Sequence, residues 1–263
     1  MTDWLKDRVK LGRTDLLAGR LGMGASYMAP AKAWEAAYEA GCNYFYWGAL
    51  RMAGMAKAIR NIIAKGKRED IIIVLQAYIR PGGFEWTLQR GLKRLGIDYA
   101  DILLLGWYNK PPNQKTMDRI KHQKDKGLFR YLGISGHHRP LFAELANDPR
   151  FDLFMLRYNA AHRGAEEDVF PHLPKNPPGI VGFTATSRQQ LLRSNKIPGT
   201  ERRPTAGDCY RFVLSNPNVD VVITGPSNEK QMLENLTEVA KGPMTEEELK
   251  WMRRIGDHVY GRK

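Results

Sequence analysis

Leu92–Trp107 reads LKRLGIDYADILLLGW. A helix-compatible stretch closes on Leu95, Gly96 stands just past its end, and a run of apolar residues opens at Asp101 and continues to Trp107. Glycine in that place suits the left-handed turn that ends a helix. The apolar run shows no polar alternation, as expected of a parallel strand buried on both faces. The same unit recurs on either side. IIIVLQ (71–76) and VDVVITG (219–225) are also continuous apolar strands. The expected strands are Arg20–Ala25, Asn43–Trp47, Ile71–Gln76, Asp101–Trp107, Tyr131–Ser135, Leu153–Tyr158, Gly179–Thr184 and Val219–Gly225. A helix-compatible stretch follows each: Pro30–Ala40, Ala53–Lys65, Phe84–Leu95, Gln114–Lys126, Arg139–Ala146, Glu166–His172, Thr205–Ser215 and Asn228–Ala240. Pro30, Pro140 and Thr205 mark helix starts, and Gly41, Gly66, Gly96 and Gly127 mark helix ends.

This alternation of strand and helix predicts an α/β fold, a closed (β/α)8 TIM barrel, over an open doubly wound sheet. No strand leads into G-x-G-x-x-G, so the Rossmann dinucleotide signature is absent. GMGASYMA (22–29) reads as a tight turn after the first barrel strand. VKLGRTDLLAGRLG (9–22) reads as a short N-terminal hairpin plugging the barrel bottom. Residues 244–262 read as an extra C-terminal helix, with Glu246, Glu247 and Glu248 set against its positive end. No composition break divides the chain, so residues 1–263 are read as a single barrel domain.

The chain carries 41 Lys+Arg against 28 Asp+Glu, a net charge of +13. That excess favours anionic ligands. Without a run of five or six basic residues or a nucleic-acid motif, it points to a small-molecule or nucleotide ligand before nucleic acid. The apolar runs fall far short of the ~18 residues a membrane span needs. MTDWLKDRVK lacks the apolar core of a secretory signal. Cys42 and Cys209 sit in apolar segments without metal-ligand spacing, and read as reduced core residues of a cytoplasmic protein. There is no H-E-x-x-H, no G-x-S-x-G and no His/Asp/Glu grouping suited to a metal.

Several segments, in order, resemble the aldo/keto reductase family: VKLGRTDLLAGRLGMG, AYEAGCNYFYWG, KREDIIIVLQ, LQRGLKRLGIDYADILLLGW, KGLFRYLGISG, RYNAAHR and VVITGPSNEKQMLENL. LKRLGIDYADILLL and ITGPSNEKQMLEN carry the resemblance most specifically. GISGHH and VLSNPNVDVVITGPSN are most similar to a bacterial branch that often carries a cysteine-rich iron–sulfur tail, yet no cysteine follows Cys209. The resemblance implies NADP(H)-dependent carbonyl reduction by an Asp, Tyr, Lys and His. Tyrosine protonates the carbonyl oxygen, a Lys–Asp pair lowers its pKa, and histidine orients the carbonyl. In this chain Tyr46 stands at the aspartate position, Arg51 at the tyrosine, Gln76 at the lysine and Gly106 at the histidine.

For the cofactor, the resemblance implies Ser135 at the nicotinamide carboxamide, where Gly136 and Met155 replace the other two family residues. Phe183 falls at the ring-stacking position, or serves only in the core. Gln231, Glu234 and Asn235 fall at the adenine side, and Gly225 and Ser227 at a turn whose N–H groups can receive phosphate. The loop 187–203 holds Arg188, Arg193, Lys196, Arg202 and Arg203 against the single acid Glu201. It reads as a solvated loop or as a cradle for pyrophosphate or a 2′-phosphate. The expected mouth residues are Tyr46, Trp47, Arg51, Gln76, Tyr78, Trp107, Tyr108, His137, His138, Tyr158 and Asn159. His137 and His138 serve as acid or base near neutral pH, or simply lie at the surface. Three functions follow: a divergent oxidoreductase using Tyr46, Arg51 or a loop histidine; a catalytically inactive nucleotide-binding barrel acting as a sensor or partner subunit; and, well behind, a polyanion-binding module.

Overall fold

The computed structural model describes residues 4–25, 28–48, 53–78, 83–199 and 201–261. Among the described residues the strands are β1 (Arg8–Lys10), β2 (Leu17–Gly19), β3 (Leu21–Gly24), β4 (Tyr44–Trp47), β5 (Ile72–Tyr78), β6 (Ala100–Gly106), β7 (Phe129–Gly136), β8 (Leu153–Arg157), β9 (Gly179–Phe183) and β10 (Val221–Thr224). The helices are α1 (Ala31–Glu39), α2 (Ala53–Ala64), α3 (Gly83–Leu95), α4 (Gln114–Asp125), α5 (Pro140–Leu145), α6 (Ala165–Asp168), α7 (Ala206–Leu214), α8 (Glu229–Val239) and α9 (Glu246–Tyr260). Strands β3 to β10 pair in parallel in chain order, and β10 returns to β3 to close the barrel. Each expected strand is present. The expected helix Glu166–His172 breaks at Val169, and a 3₁₀ turn covers Phe170–His172. Pro171 has no N–H for an α-helical bond there.

Two apolar layers hold the fold. One lies between the strands and the helical ring. The other fills the barrel axis with Tyr44, Ile72, Val74, Ile102, Leu104, Leu153, Met155, Val181 and Val221. Leu11 and Leu16, from the turn of the β1–β2 hairpin, complete that inner layer from below. Two strands alone are marginal in water, so burying these two leucines, worth about 1.5–3 kcal/mol each, anchors the hairpin as a plug. The expected tight turn at GMGASYMA is corrected in part: Gly22 and Gly24 lie within β3. A Cβ on Gly22 would stand 2.8 Å from Ile223 Cδ1 and 2.9 Å from Tyr44 Cδ1. The glycines leave the space those large side chains fill.

At the barrel bottom, four side chains stitch the strands in pairs. Asn43, at the entry to β4, accepts the Gly19 N–H at 2.7 Å. Asp101 of β6 accepts that of Ile73 at 2.8 Å, Asp152 before β8 that of Leu132 at 2.9 Å, and Asp220 before β10 that of Ile180 at 2.8 Å. Each sits at the head of one barrel strand and captures an N–H of an earlier strand: the last residue of β2, the second of β5, the fourth of β7 and the second of β9. Cys42 and Cys209 are free thiols in the core; burial raises the Cys42 pKa to about 12. Among the described residues no helix is long and apolar enough to cross a membrane.

Asp220 provides a test. Burial raises its pKa from 3.8 to about 6, against the opposing pull of the Ile180 N–H and Arg20. The native state therefore holds this proton more tightly than the unfolded chain does. Its contribution is full below about pH 4 and is lost as the pH rises through about 6. Asp220→Asn removes that dependence. Urea unfolding at acid and neutral pH is expected to show the variant gaining on wild type by up to about 3 kcal/mol as the pH rises over that window.

Candidate active site

The positions implied as catalytic meet at the C-terminal end of the barrel. Register places Tyr46 of β4 beside Val74, Gln76 of β5 beside Leu104, and Gly106 of β6 beside Tyr78. The Tyr46 hydroxyl donates to Gln76 Oε1. A Cβ at Gly106 would lie 2.0 Å from Gln76 Nε2, so the glutamine amide occupies the space above the glycine. The three residues thus fit one another as a neutral cluster. Burial, then Tyr78 and Tyr44, raises the Tyr46 pKa well above 10, the opposite of what a neighbouring lysine would do. Tyr78 donates to the Gly48 carbonyl and packs its ring 4.8 Å from Trp107. Arg51 lies outside the described residues.

A cleft of about 840 Å³ runs across this end of the barrel. Tyr46, Met155, Phe183 and Ile223 line one part, and Gly225, Gln231, Glu234 and Asn235 another, with Arg188 and Arg203 also on its wall. A buried polar chain supports the second part. Asn235 Nδ2 donates to Thr224 Oγ1 at 3.0 Å, and Thr224 Oγ1 donates to the Tyr210 hydroxyl at 3.0 Å. The cleft wall after β9 is unusual backbone: Thr184, Ser187, Arg188 and Gln189 have φ of 60°, 50°, 53° and 66°. Non-glycine residues in this region cost of order 1–3 kcal/mol each and persist where surroundings impose them. Buried Leu191 and the contact of Ser187 Oγ with His162 Nδ1 at 3.4 Å anchor this loop.

The other expected residues divide. Ser135 is buried within β7, in register with Met155. Ser227 lies off the cleft wall, and both its N–H and its hydroxyl donate to Gln231 Oε1 at 2.8 Å. His137 is exposed, its ring edge-on to Phe183 at 5.9 Å. Partial burial, then Arg157 and Arg188, lower its pKa below 6.5, so it is mainly neutral at pH 7. Arg202 is committed to Asp208 at 2.9 Å and to the Trp251 ring at 4.0 Å, while Arg193 and Lys196 are exposed away from the cleft.

Three expected mouth residues are instead structural. Trp47 is buried against α3, where a Cβ on Gly91 would approach its ring to 3.1 Å; it is the last residue of β4 and turns to the opposite face from Tyr46. The buried Tyr158 donates to Glu166 at 2.6 Å. Asn159 bonds the Thr184 carbonyl and the turn at Ala161 and His162. The sequence reading missed Thr224 and Tyr210; the only polar residue in the VVIT run was the available sign of the first.

An eight-stranded parallel barrel with a cleft across the C-terminal strand ends has the form of a barrel enzyme. The match to the aldo/keto reductase family over residues 20–208 establishes that the chain belongs to that family of oxidoreductases. It is 24% identical to an uncharacterized oxidoreductase, YqkF, of Bacillus subtilis, over 92% of this chain and 94% of the relative. It is 21% identical to an NADH-specific methylglyoxal reductase of Escherichia coli, over 72% and 70% of the two chains. Among solved structures, the holo form of aldo-keto reductase AKR11C1 from Bacillus halodurans superposes with a TM-score of 0.79 at 22% identity, covering 95% and 96% of the two chains. An aldo/keto reductase from Klebsiella pneumoniae in complex with NADP and acetate gives 0.75 at 19% identity, covering 95% of each.

The neutral cluster makes a prediction. Gly106→Ala is expected to destabilise the protein by about 1–2 kcal/mol through overpacking against Gln76. Gln76→Ala removes the clash. The double variant should therefore be more stable than the sum of the two single changes by about 1 kcal/mol, measured by chemical unfolding of all four proteins.

Proposed function

We propose that this chain binds NADP(H) in the cleft and is a divergent oxidoreductase that reduces a carbonyl compound with Tyr46 as proton donor. The observation that carries the reading is one continuous cleft joining the Asn235–Thr224–Tyr210 chain to Tyr46 and Phe183, with Arg188 and Arg203 on its wall. The donor set fits a phosphorylated dinucleotide. Arg203 suits phosphate oxygens, Asn235, Gln231 and Glu234 offer polar groups to a base, and Phe183 and Met155 offer apolar faces to a ring. When bound, NADPH supplies a hydride for the carbonyl carbon. Tyr46 gives its proton to the carbonyl oxygen, the product is an alcohol, and the tyrosine regains a proton from solvent. Its raised pKa keeps that proton in place at neutral pH but makes it a weak acid. The hydroxyl must also turn from Gln76 to the substrate.

That engagement with Gln76 favours a second reading: an inactive NADP(H)-binding barrel that acts as a sensor or partner subunit. Trp107, exposed at the mouth, is the reporter for a fluorescence titration with NADPH and NADH. Saturable binding is expected, weakened about tenfold by Asn235→Leu or Arg203→Ala, equivalent to about 1.4 kcal/mol. Tyr46→Phe should lower carbonyl turnover by about 10²-fold or more while leaving the NADPH dissociation constant within about twofold of wild type. Full turnover by Tyr46→Phe would remove Tyr46 from the reaction. Tight binding with no hydride transfer across an aldehyde and ketone panel selects the sensor reading.

A further inference from the structure

Three cationic or ionisable side chains gather at the ends of successive elements on one side of the mouth. His137 follows the end of β7, Arg157 ends β8, and Arg188 stands in the loop after β9. Phe183 links them: it pairs in register with Arg157 and carries the His137 ring on its edge at 5.9 Å. Arg188 lines the same cleft as Phe183 and Tyr46. The charged groups acting on the half-buried Arg157 are Arg139 and Arg188, together with the Tyr260 hydroxyl. Arg139 is already neutralised, its Nε lying 2.6 Å from Asp168. Among the described residues Arg157 has no hydrogen-bond or ion-pair partner, and Arg188 has none either. Burial and the neighbouring arginines lower the pKa of Arg157, and burial with Arg157 and Arg188 lowers that of His137. Like charges held together without an acid are an unfavourable arrangement that an anion relieves. Elsewhere in the protein, by contrast, part-buried arginines carry carboxylates: Arg163 with Asp257 at 2.6 Å and Arg253 with Glu166 at 2.8 Å.

We propose that Arg157, Arg188 and His137 form an anion subsite at the substrate end of the cleft, selecting carbonyl substrates that carry a carboxylate or phosphate group. This rests on the proposed reductase reading, since it places the substrate carbonyl toward Tyr46 and its anionic group toward Arg157. Arg157 supplies the planar, doubly donating head suited to such a group. His137 adds a further charge as the pH falls.

The test uses a matched pair of probes, 4-carboxybenzaldehyde and its methyl ester, with NADPH as reductant. The acid is expected to show a kcat/KM about tenfold or more above that of the ester, with the preference carried in KM. Arg157→Met should collapse that ratio toward one, while Arg157→Lys retains part of it. A second readout does not depend on turnover: calorimetric binding of 4-(hydroxymethyl)benzoate to wild type and Arg157→Met in the presence of NADP. Binding should be lost in the variant and should strengthen for wild type as the pH is lowered while the probe remains ionised, since a proton on His137 adds a charge. Equal kinetics for acid and ester, or carboxylate binding unchanged by Arg157→Met, overturns the proposal. So does a variant whose NADPH affinity falls instead, since Arg157 would then serve the cofactor's phosphates. Failure of NADPH to bind wild type would count against the reductase reading itself, whereas intact NADPH binding without carboxylate selectivity defeats the subsite alone.

Discussion

The barrel depends on a hydrogen bond used four times. At the bottom of the sheet, Asn43, Asp101, Asp152 and Asp220 each take an N–H from an earlier strand. A parallel strand enters its sheet with donors that no neighbour is yet in register to accept, and a buried donor left unpaired costs about 1–3 kcal/mol. These side chains meet that need and also tie strands together: the end of β2 to β4, β5 to β6, β7 to β8, and β9 to β10. Asp101 is buried and Asp152 and Asp220 are partly buried, and desolvation raises the pKa of all three. Each keeps a cation close by: Arg68 lies 3.0 Å from Asp101, Lys124 3.9 Å from Asp152, and Arg20 acts on Asp220. With register held from below, the upper ends of the strands are free to vary in side chain, and all the candidate chemistry lies there.

That division explains what the amino-acid sequence alone makes legible. Strand and helix positions follow from apolar runs and from Pro, Gly and Thr at their ends, because those signals are local. Even the stitching has a trace: in Asn43, Asp101, Asp152 and Asp220, a short polar residue sits at the head of an apolar run. The sequence places Tyr46, Gln76 and Gly106 at corresponding strand ends, yet their fit is a contact between three strands and has no sequence period. Trp47 shows the limit at single-residue scale. It neighbours Tyr46 in the chain but turns to the opposite face, into the layer beneath α3. Of the basic loop, only Arg188 and Arg203 reach the cleft wall; counting charges could not separate them from Arg202, which Asp208 and Trp251 claim.

The site also shows substitutions behaving as a set. A residue larger than glycine at 106 and the Gln76 side chain cannot both keep their present positions, and Gln76 in turn receives the Tyr46 hydroxyl. Changing one member alone leaves a clash or an unmatched polar group, so steps back toward a charged arrangement pass through less stable combinations. The neutral cluster is in this sense a packed solution of its own. It lies beside a polar cleft whose far wall keeps an ordered, buried hydrogen-bond chain.

The hairpin plug bears on how the chain assembles as it is synthesised. Leu11 and Leu16 rest in a layer completed by Val181 and Val221, and Gly12 is packed so tightly on the backbone of Pro178 and Gly179 that no Cβ would fit. Residues 8–24 therefore leave the ribosome long before the strands that receive them exist. Their apolar side chains must wait, exposed or loosely covered, until β9 and β10 emerge and the sheet closes. Contacts so distant along the chain form slowly, and closing them is the step on which rapid folding depends. An opening for chaperone capture or for aggregation thus lies in the β1–β2 hairpin, a segment that lines no part of the cleft.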